Sequence, residues 1–543
     1  MIHIRDTVHG DIKLNDIYAH ILDTPEFQRL RSIEQGSFRP VFPGARHDRF
    51  IHSLGTYHLA GKFGWSFLAN IRRDFPDMPL TREEEQKLMA TFRYAALLHD
   101  IGHAPYSHTT EEFFLLKKNL SGGPIIRDQL CDAVASQGHE DERKAFELDF
   151  SNRKPSPHEI ISATLLITQR DRFLVTDLPS VLAGQVDTAL AARMVIGCTY
   201  DYSRYADLAP RDKFLLGLRN CFIQMLNSDA VDVDRLDYLI RDTQMSGFTN
   251  TPVDVDYLAG SVTAIVKEGT DHLYPAFRND AMGVVESMFH AKREHDFWVL
   301  NHPSGAYDAA LRAHCIGRME DYPGNPSYMT TVFTADALGQ KGVSVSSRTY
   351  RLLSDEDICA DLKRHYNDYA PIREIFCRDQ RRTPVWRDYY EFRWLFCFQE
   401  EAVHNFFKDL MAYFKEKNHF QLNSYTYQMV CNEPGVSKKA QAAAKFLHDF
   451  FENHGMSELF DLVLVSRTAL FTYKIDPKEV YIQFPKLPAM GSRNYAAFAD
   501  LKGRADEKDK RDLFYLYAPK ASFTPELKEA FRDALLAHLG LNV

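Results

Sequence analysis

The sequence predicts a mainly α protein whose C-terminal region is α+β and carries a small sheet. Helical periodicity dominates the first 320 or so residues. Strand-like runs come late, at 459–465 (LFDLVLV) and 480–484 (VYIQF), with a weaker one at 513–517 (LFYLY). The change of texture near residue 325 divides the chain into 1–325 and 326–543. No internal repeat or low-complexity tract interrupts either part.

In chain order, 84–98 repeats apolar side chains at Leu88, Phe92, Ala95 and Ala96, as a half-buried helix does. Residues 117–155 contain Ser121-Gly122-Gly123-Pro124, Gly138, a charged run from Glu140 to Lys144, and Lys154-Pro155. This stretch reads as an insertion with one or two short helices, projecting from the core. A helix over 156–168 opens on Ser156, Pro157 and Glu159, the residues of a capping box with proline at the first helical position. Residues 229–242 and a long pattern from about Ala281 to Leu300 read as further helices. Ser354-Asp355-Glu356-Asp357 looks like a helix start, and 503–511 like a solvated loop. Thr524-Pro525 opens a final helix that Gly540 can close.

Composition sets outer limits. The chain has 543 residues, 65 Lys+Arg against 74 Asp+Glu, a net charge of −9, and 45% hydrophobic residues. That excludes a wholly disordered or fibrous chain. No stretch approaches the ~18 uncharged apolar residues of a membrane-spanning helix. Residues 1–14 lack the basic start and apolar run of a secretory signal. The acidic balance argues against a broad nucleic-acid surface, while leaving a local one possible. Eight scattered cysteines with no C-x-x-C pair suit a reducing cytoplasm and argue against a zinc ribbon.

Histidine is the odd number. Eleven of the 22 fall in residues 1–160, where an even spread over 543 residues would place about six. Four segments in or near that window draw attention: Arg49-Phe50-Ile51-His52-Ser53-Leu54-Gly55, Leu97-Leu98-His99-Asp100-Ile101-Gly102-His103, Ser156-Pro157-His158-Glu159, and Asp232-Val233-Asp234-Arg235-Leu236-Asp237-Tyr238. Taken alone, His99-Asp100 reads as the end of a helix. Yet a buried unpaired carboxylate is costly, and Asp100 closes an apolar run, so it needs a partner. A divalent metal is one such partner, and two imidazoles with two carboxylates make a mixed N/O site. The fourth segment is dense in acid: Asp229, Asp232, Asp234, Asp237 and Asp242. Asp234, Tyr238 and Asp242 share one helical face, and Asp237 can pair with Arg241 at i+4. It reads either as a solvated acidic face or, because Val231, Val233, Leu236, Leu239 and Ile240 lie between the acids, as acids that approach the interior.

The order H…HD…D, with R-F-I-H-S-L-G before it and D-V-D-R-L-D-Y-L-I-R-D after it, resembles the HD-domain phosphohydrolases. Within them it resembles the deoxynucleoside triphosphate triphosphohydrolase branch. The opening D-T-V-H-G-D-I-K-L, F-Q-R-L-R at 27–31, V-F-P-G-A at 41–45 and L-L-S-D-E-D-I at 352–358 fit the same branch. The resemblance covers 1–320 well and 345–400 loosely. It implies a helical HD-domain core over 1–325, with 117–155 inserted.

By this resemblance His52, His99, Asp100 and Asp234 are the metal ligands, with Asp232 the lesser candidate. The ion implied is divalent: Mn, Mg, Fe, Zn, Co or Ni. His103 and His158 fall at catalytic histidine positions, and Glu111 at that of a carboxylate orienting the histidine. His108 falls where substrate is stacked or hydrogen-bonded. Arg49, Arg235 and Tyr238 fall at phosphate-contacting positions, and Gln35 and Asp242 where the sugar 3′-hydroxyl is held. Glu159 reads equally as the capping partner of Ser156, Arg49 as a structural ion pair, and His47 and His58 as surface or packing residues. Two departures matter. Gly36 replaces a leucine under the sugar, and Lys292 and Leu300 stand where the branch has an arginine and an aromatic. Gly36 and Leu300 together are expected to leave space beside C2′, and Lys292 to serve as a point charge.

The implied function is metal-dependent hydrolysis of (deoxy)nucleoside triphosphates to nucleoside and inorganic triphosphate. Two other readings stay open: an HD phosphodiesterase acting on a cyclic or signalling nucleotide or a nucleic-acid end, and a non-catalytic nucleotide-binding effector. The expected partners are a nucleotide substrate and further copies of the chain in a homo-oligomer, with no membrane.

Overall fold

The structure is a computed structural model. It describes residues 2–137, 140–174, 185–248, 253–377, 379, 381–416, 435–456, 465–469, 476–485, 494–502, 512–519 and 523–541. The expected strand at 459–464, the expected loop at 503–511, Gly138, His139 and Cys431 lie outside those residues.

The chain begins with a hairpin, β1 (Ile2–Asp6) and β2 (Gly10–Leu14), paired antiparallel with Asp6 opposite Gly10. Gly10 adopts φ 74°, a left-handed turn conformation that glycine reaches without a Cβ penalty. The helical core follows. α1 (Arg49–Asp74) starts at Asp48, whose carboxylate accepts from the Ile51 N–H. α2 (Arg82–Leu98) starts with a capping box between Thr81 and Glu84. The two helices pack together.

The expected helices over 84–98 and 156–168 are present, the second as α5 (Pro157–Thr168) with its Ser156–Glu159 capping box. Ahead of α5, α3 (Ile125–Ala135) and α4 (Glu140–Ser151) are the two helices expected in the 117–155 insertion. They do not project, as the sequence reading supposed. Ile126, Leu130, Phe146 and Phe150 are buried in the main core, and α3 lies against α5. Their apolar residues recur at i+4, so each helix has a face that needs cover.

α6 (Thr188–Val195) and α7 (Pro210–Leu226) complete the inner layer. Phe67 of α1, Phe92 of α2 and Phe222 of α7 meet edge to face with centroids 5.0–5.5 Å apart. α8 (Val233–Ser246) begins later than the expected 229 because Asp232 caps it, and Gly247 closes it at φ 78°. After strands β3 (Val262–Val266) and β4 (Leu273–Arg278), α9 (Met282–His295) runs into a π-helical turn at Asp296–Leu300. α10 (Pro303–Gly317) follows.

The C-terminal region is α+β, as expected. It holds a hairpin, β5 (Val343–Val345) with β6 (Arg348–Tyr350), and α11 (Asp355–Arg364), which Ser354 caps. β7 (Arg382–Pro384), β8 (Val465–Ala469) and β11 (Asp512–Pro519) form one sheet in the order β7-β11-β8. β9 (Tyr481–Gln483) and β10 (Tyr495–Ala497) join the earlier pair in the order β10-β9-β4-β3, with β9 parallel to β4. α12 (Glu400–Glu416) packs on β11 of the first of these sheets, α13 (Lys438–Asn453) on α12, and α14 (Pro525–His538) on α13. The buried Trp386 joins strand and helix there: its ring packs at steep angles against Phe392, Phe396 and Phe407 and donates to the Phe514 carbonyl at 2.8 Å. The seven described cysteines are free thiols. Among the described residues no helix is long and apolar enough to cross a membrane.

Candidate active site

Three helix ends converge. His52 lies in the first turn of α1, His99 and Asp100 directly follow α2, and Asp234 lies in the first turn of α8. Asp232 accepts the Arg235 N–H at 2.7 Å, and this cap orients the turn that carries Asp234. His52 Nε2 stands 3.0 Å from Asp234 Oδ1, 3.3 Å from His99 Nε2 and 3.6 Å from Asp100 Oδ2. His99 Nε2 stands 3.4 Å from both Asp100 Oδ1 and Asp234 Oδ1.

Those spacings fit a shared ion. Donors about 2.0–2.2 Å from one metal lie roughly 3.0–3.5 Å from one another. The orientation of the rings agrees. His52 Nδ1 faces Asp237 Oδ2 at 2.7 Å and His99 Nδ1 faces the Ala96 carbonyl at 2.9 Å. Both acceptors call for a proton on Nδ1, which leaves each Nε2 lone pair for the common point. Of the two acids named by the resemblance, Asp234 lies against both imidazoles, and Asp232 is taken up by its cap and by Arg235 at 3.5 Å. Without an ion, His52 is raised to about 10: burial opposes its charge, but Asp234, Asp237 and Asp100 outweigh it. The same balance raises His99 and holds Asp100 and Asp234 below the usual carboxylate range.

A second cluster adjoins the first through Asp100. His103 Nε2 is 3.1 Å from Asp100 Oδ1, and its ring stacks on His158 with centroids 3.9 Å apart and planes 12° from parallel. Glu111 receives His158 Nδ1 at 2.5 Å on one oxygen and His108 Nδ1 at 2.9 Å on the other. The stacked pair has opposite electrostatics. Burial depresses the His158 cation, but Glu111 raises it above the ordinary histidine value overall. Burial lowers His103 far below that value, and the charges of Arg49 and His158 add to it. The two stacked imidazoles are thus shifted in opposite directions, the pattern that separates an acid from a base. His108 is the exposed member of the group, its side chain 60% accessible.

Close backbone approach makes this possible. A Cβ at Gly102 would lie 2.5 Å from the Ser162 nitrogen and 2.7 Å from the His158 carbonyl. The loop that follows holds Tyr106 and Ser107 at φ 60° and 53°, sparsely populated for residues with side chains. Asp355 of α11 pins it, accepting the Tyr106 N–H at 2.7 Å and the Glu34 N–H at 2.9 Å. Buried Arg29 adds bonds to the carbonyls of Ile101, His103 and Leu353.

The residues expected to hold substrate are placed as follows. Arg49 is buried and donates to Asp100 Oδ2 at 2.8 Å, Ser107 Oγ at 3.0 Å and the Gln35 carbonyl at 2.9 Å. Gln35 Oε1 is buried with no hydrogen-bond partner. Arg235 donates to the carbonyls of Ala230 and Ser228. Tyr238, Asp242 and Lys292 sit farther along α8 and α9, with the Lys292 ammonium 5.3 Å over the Tyr238 ring. Lys292 is buried and ion-paired with Asp296, and burial lowers its pKa.

The space expected beside Gly36 is not open. Phe38 has folded into it: a Cβ on residue 36 would lie 2.6 Å from the Phe38 ring. Phe38 is buried with Ala45 and Val299, Leu300 packs on the same cluster, and the ring stacks on His47 at 5.4 Å.

His47, read from sequence as a surface or packing residue, instead bonds Asp242 Oδ1 at 2.7 Å. His295 takes the other oxygen at 3.0 Å. The sequence reading missed His295, which lies in no motif, and His9, which reaches Asp237 Oδ1 at 2.5 Å. His9 stood inside the D-T-V-H-G-D-I-K-L segment, but no local pattern tied it to a residue 228 positions away.

Residues 49–166 match the HD domain family. The chain is 26% identical over 386 residues to the deoxynucleoside triphosphate triphosphohydrolase SAMHD1 of Gallus gallus, covering 70% of this chain and 54% of that protein. It is 27% identical over 321 residues to the Homo sapiens protein of that name, covering 59% and 45%. A Dictyostelium discoideum SAMHD1 homolog is 42% identical over 111 residues, covering 20% of each chain. The chain thus spans about half the length of the first two of these relatives. Its match to the HD domain family spans residues 49–166, and its similarity extends beyond that span to proteins named deoxynucleoside triphosphate triphosphohydrolases.

Proposed function

We propose that this chain is a metal-dependent hydrolase that splits (deoxy)nucleoside triphosphates into nucleoside and inorganic triphosphate. The observation that carries this is the contact at Asp100. It joins the close donor group of His52, His99 and Asp100, with Asp234 against both imidazoles, to a carboxylate-backed pair of stacked histidines whose pKa values are shifted in opposite directions.

His52, His99, Asp100 and Asp234 hold the ion, which is one of Mn, Mg, Fe, Zn, Co or Ni. When bound it supplies positive charge to a phosphoryl oxygen and lowers the pKa of water. The chain's own groups do the rest. Arg49, anchored on Asp100, stands beside that charge, and Arg235, Tyr238 and Lys292 extend contacts to the remaining phosphates. Asp242 is two turns beyond Asp234, about 12 Å along α8 at 1.5 Å per residue. That spacing suits a sugar bound away from the phosphates, between Gln35 and Asp242, with His108 at the open rim. His158, its proton affinity raised by Glu111, donates its proton to the leaving 5′-oxygen as the bond to phosphorus breaks. Water adds to that phosphorus, and the proton it loses restores His158. Neutral His103 is placed within the stack to carry it.

The reading also takes 1–325 as the HD region and 326–543 as the C-terminal region. It places the protein in the cytoplasm, where free thiols persist, as a homo-oligomer.

The test is purified protein, stripped of metal and resupplied with each divalent ion, on a panel of dNTPs and NTPs. Inorganic triphosphate as product, with His99→Ala inactive, supports the proposal. A monophosphate released from a diester, with no triphosphate from any nucleotide, favours a phosphodiesterase. Absence of any metal-dependent turnover sinks both.

A further inference from the structure

We propose that Asp237 is a positioning residue for metal ligation, and that the N-terminal hairpin β1–β2 clamps it in place through His9 and Asp6. The inference rests on the metal-site reading above and adds residues that hold no ion themselves.

Asp237 is fully buried and its two oxygens receive four contacts. His52 Nδ1 lies at 2.7 Å, His9 Nε2 at 2.5 Å, and Arg241 Nε and Nη2 at 2.8 and 3.0 Å. An ionised carboxylate only accepts hydrogen bonds, so His52 carries its proton on Nδ1 and turns the Nε2 lone pair toward Asp234 and His99. Rotation of Asp237 would release that tautomer.

The hairpin opposes such rotation. Arg241 grips Asp6 of β1 as well as Asp237, with bonds of 2.9 and 3.1 Å to the two Asp6 oxygens. Asp6 Oδ2 accepts the His9 N–H at 2.9 Å, and His9 returns to Asp237 through its ring. Asp237, Arg241, Asp6 and His9 therefore form a closed circuit of hydrogen bonds. Two of its four members come from the first ten residues. An Arg241–Asp237 pair alone would satisfy the buried charge of α8. The circuit has the further effect of fixing the carboxylate by three bonds from Arg241 and His9, with His52 making the fourth. Buried second partners of this kind set both ring orientation and basicity of a ligating imidazole.

The experiment measures Co²⁺ and Mn²⁺ affinity of the full-length, metal-stripped protein in competition with a chromophoric chelator. Melting of each protein in EDTA is recorded alongside. Asp237→Asn is expected to weaken affinity by roughly 10–100-fold. His9→Leu, which removes the ring bond, weakens it several-fold, and His9→Gln, whose amide can donate from a similar position, recovers most of it. A purely structural hairpin predicts lower melting temperatures with wild-type affinity in the folded fraction, and that result overturns the proposal. If Asp237→Asn does not fold, His9→Leu decides: wild-type affinity there overturns it as well. Wild-type protein that binds neither ion overturns this inference and the metal-site reading together. Loss of binding in His99→Ala with full binding in Asp237→Asn and His9→Leu overturns this inference alone.

Discussion

Gly55 of α1 lies directly against the Asp237 carboxylate of α8, so that a methyl group at position 55 would overlap Asp237 Oδ1 and the Arg241 guanidinium. The glycine three residues after His52 is therefore a condition of the helix contact that orients His52. Gly55→Ala is expected to cost about 1–3 kcal/mol, the usual range for overpacking a core. It should also push Asp237 off His52. Thermal melts with and without Mn²⁺ test both: the variant should melt lower, and added metal should stabilise it less than it does the wild type.

The donor cluster makes a sharper prediction. Asp234→Asn and His99→Ala should each lose bound metal and all turnover while keeping native helix content, because the Asp232 cap of α8 does not depend on Asp234. Metal content by elemental analysis and far-UV circular dichroism on the same samples check the pair.

His158 and Glu111 predict a pH effect. Glu111 raises His158, so the His158 cation persists to higher pH than a free imidazole. In Glu111→Gln that support is gone, and the alkaline fall of kcat should move to lower pH. His158→Ala should lower kcat by roughly 10²–10⁴-fold, the usual contribution of a positioned acid. A pH–kcat profile of the three proteins decides it.

Metal-free protein should show its own pH signature. His52 is raised to about 10, above the value of about 6.5 of an unfolded histidine. Its stabilising contribution is full below about pH 6.5 and is lost as pH rises through about 10. Asp100, Asp234 and Asp237 are depressed, so their contribution is present above about pH 4 and lost as pH falls. An ion displaces the His52 proton, so its affinity should fall with falling pH. Urea melts of stripped protein across pH, beside chelator competition at each pH, measure both.

Phe38 fills the space that Gly36 vacates, so the site beside the expected sugar position is narrower than the sequence implied. Phe38→Ala reopens it. The ratio of kcat/KM for ribonucleotides over deoxyribonucleotides should rise, at a stability cost of about 3–5 kcal/mol for losing a buried ring. Phe38→Leu should fall between. An unchanged ratio in both variants would place the sugar elsewhere.

What was legible in the sequence was local. The capping box at Ser156–Glu159, the helix over 84–98 and the i+4 pair Asp237–Arg241 follow from spacings of three or four residues, and the structure has them. The ligand candidates were legible only through the resemblance carried by the order H…HD…D and its flanking motifs, since His99-Asp100 alone reads as a helix end. His9, His47 and His295 were not, because their partners lie 228, 195 and 53 residues away. β3 and β4 escaped notice for a related reason. Each is five or six residues long and is defined by pairing with the other and with β9.

The parallel pairing of β4 with β9 has a consequence for anyone who would cut or graft this protein. Val262–Val266 and Leu273–Arg278 share their sheet with strands some 200 residues downstream. A truncation near residue 325 would strip β9 from β4 and bare a ladder of unpaired backbone groups, an edge that invites aggregation. Exchange of the C-terminal half between relatives must keep Ala276–Arg278 compatible with Tyr481–Gln483. The two halves are therefore best inherited, expressed and engineered as one piece.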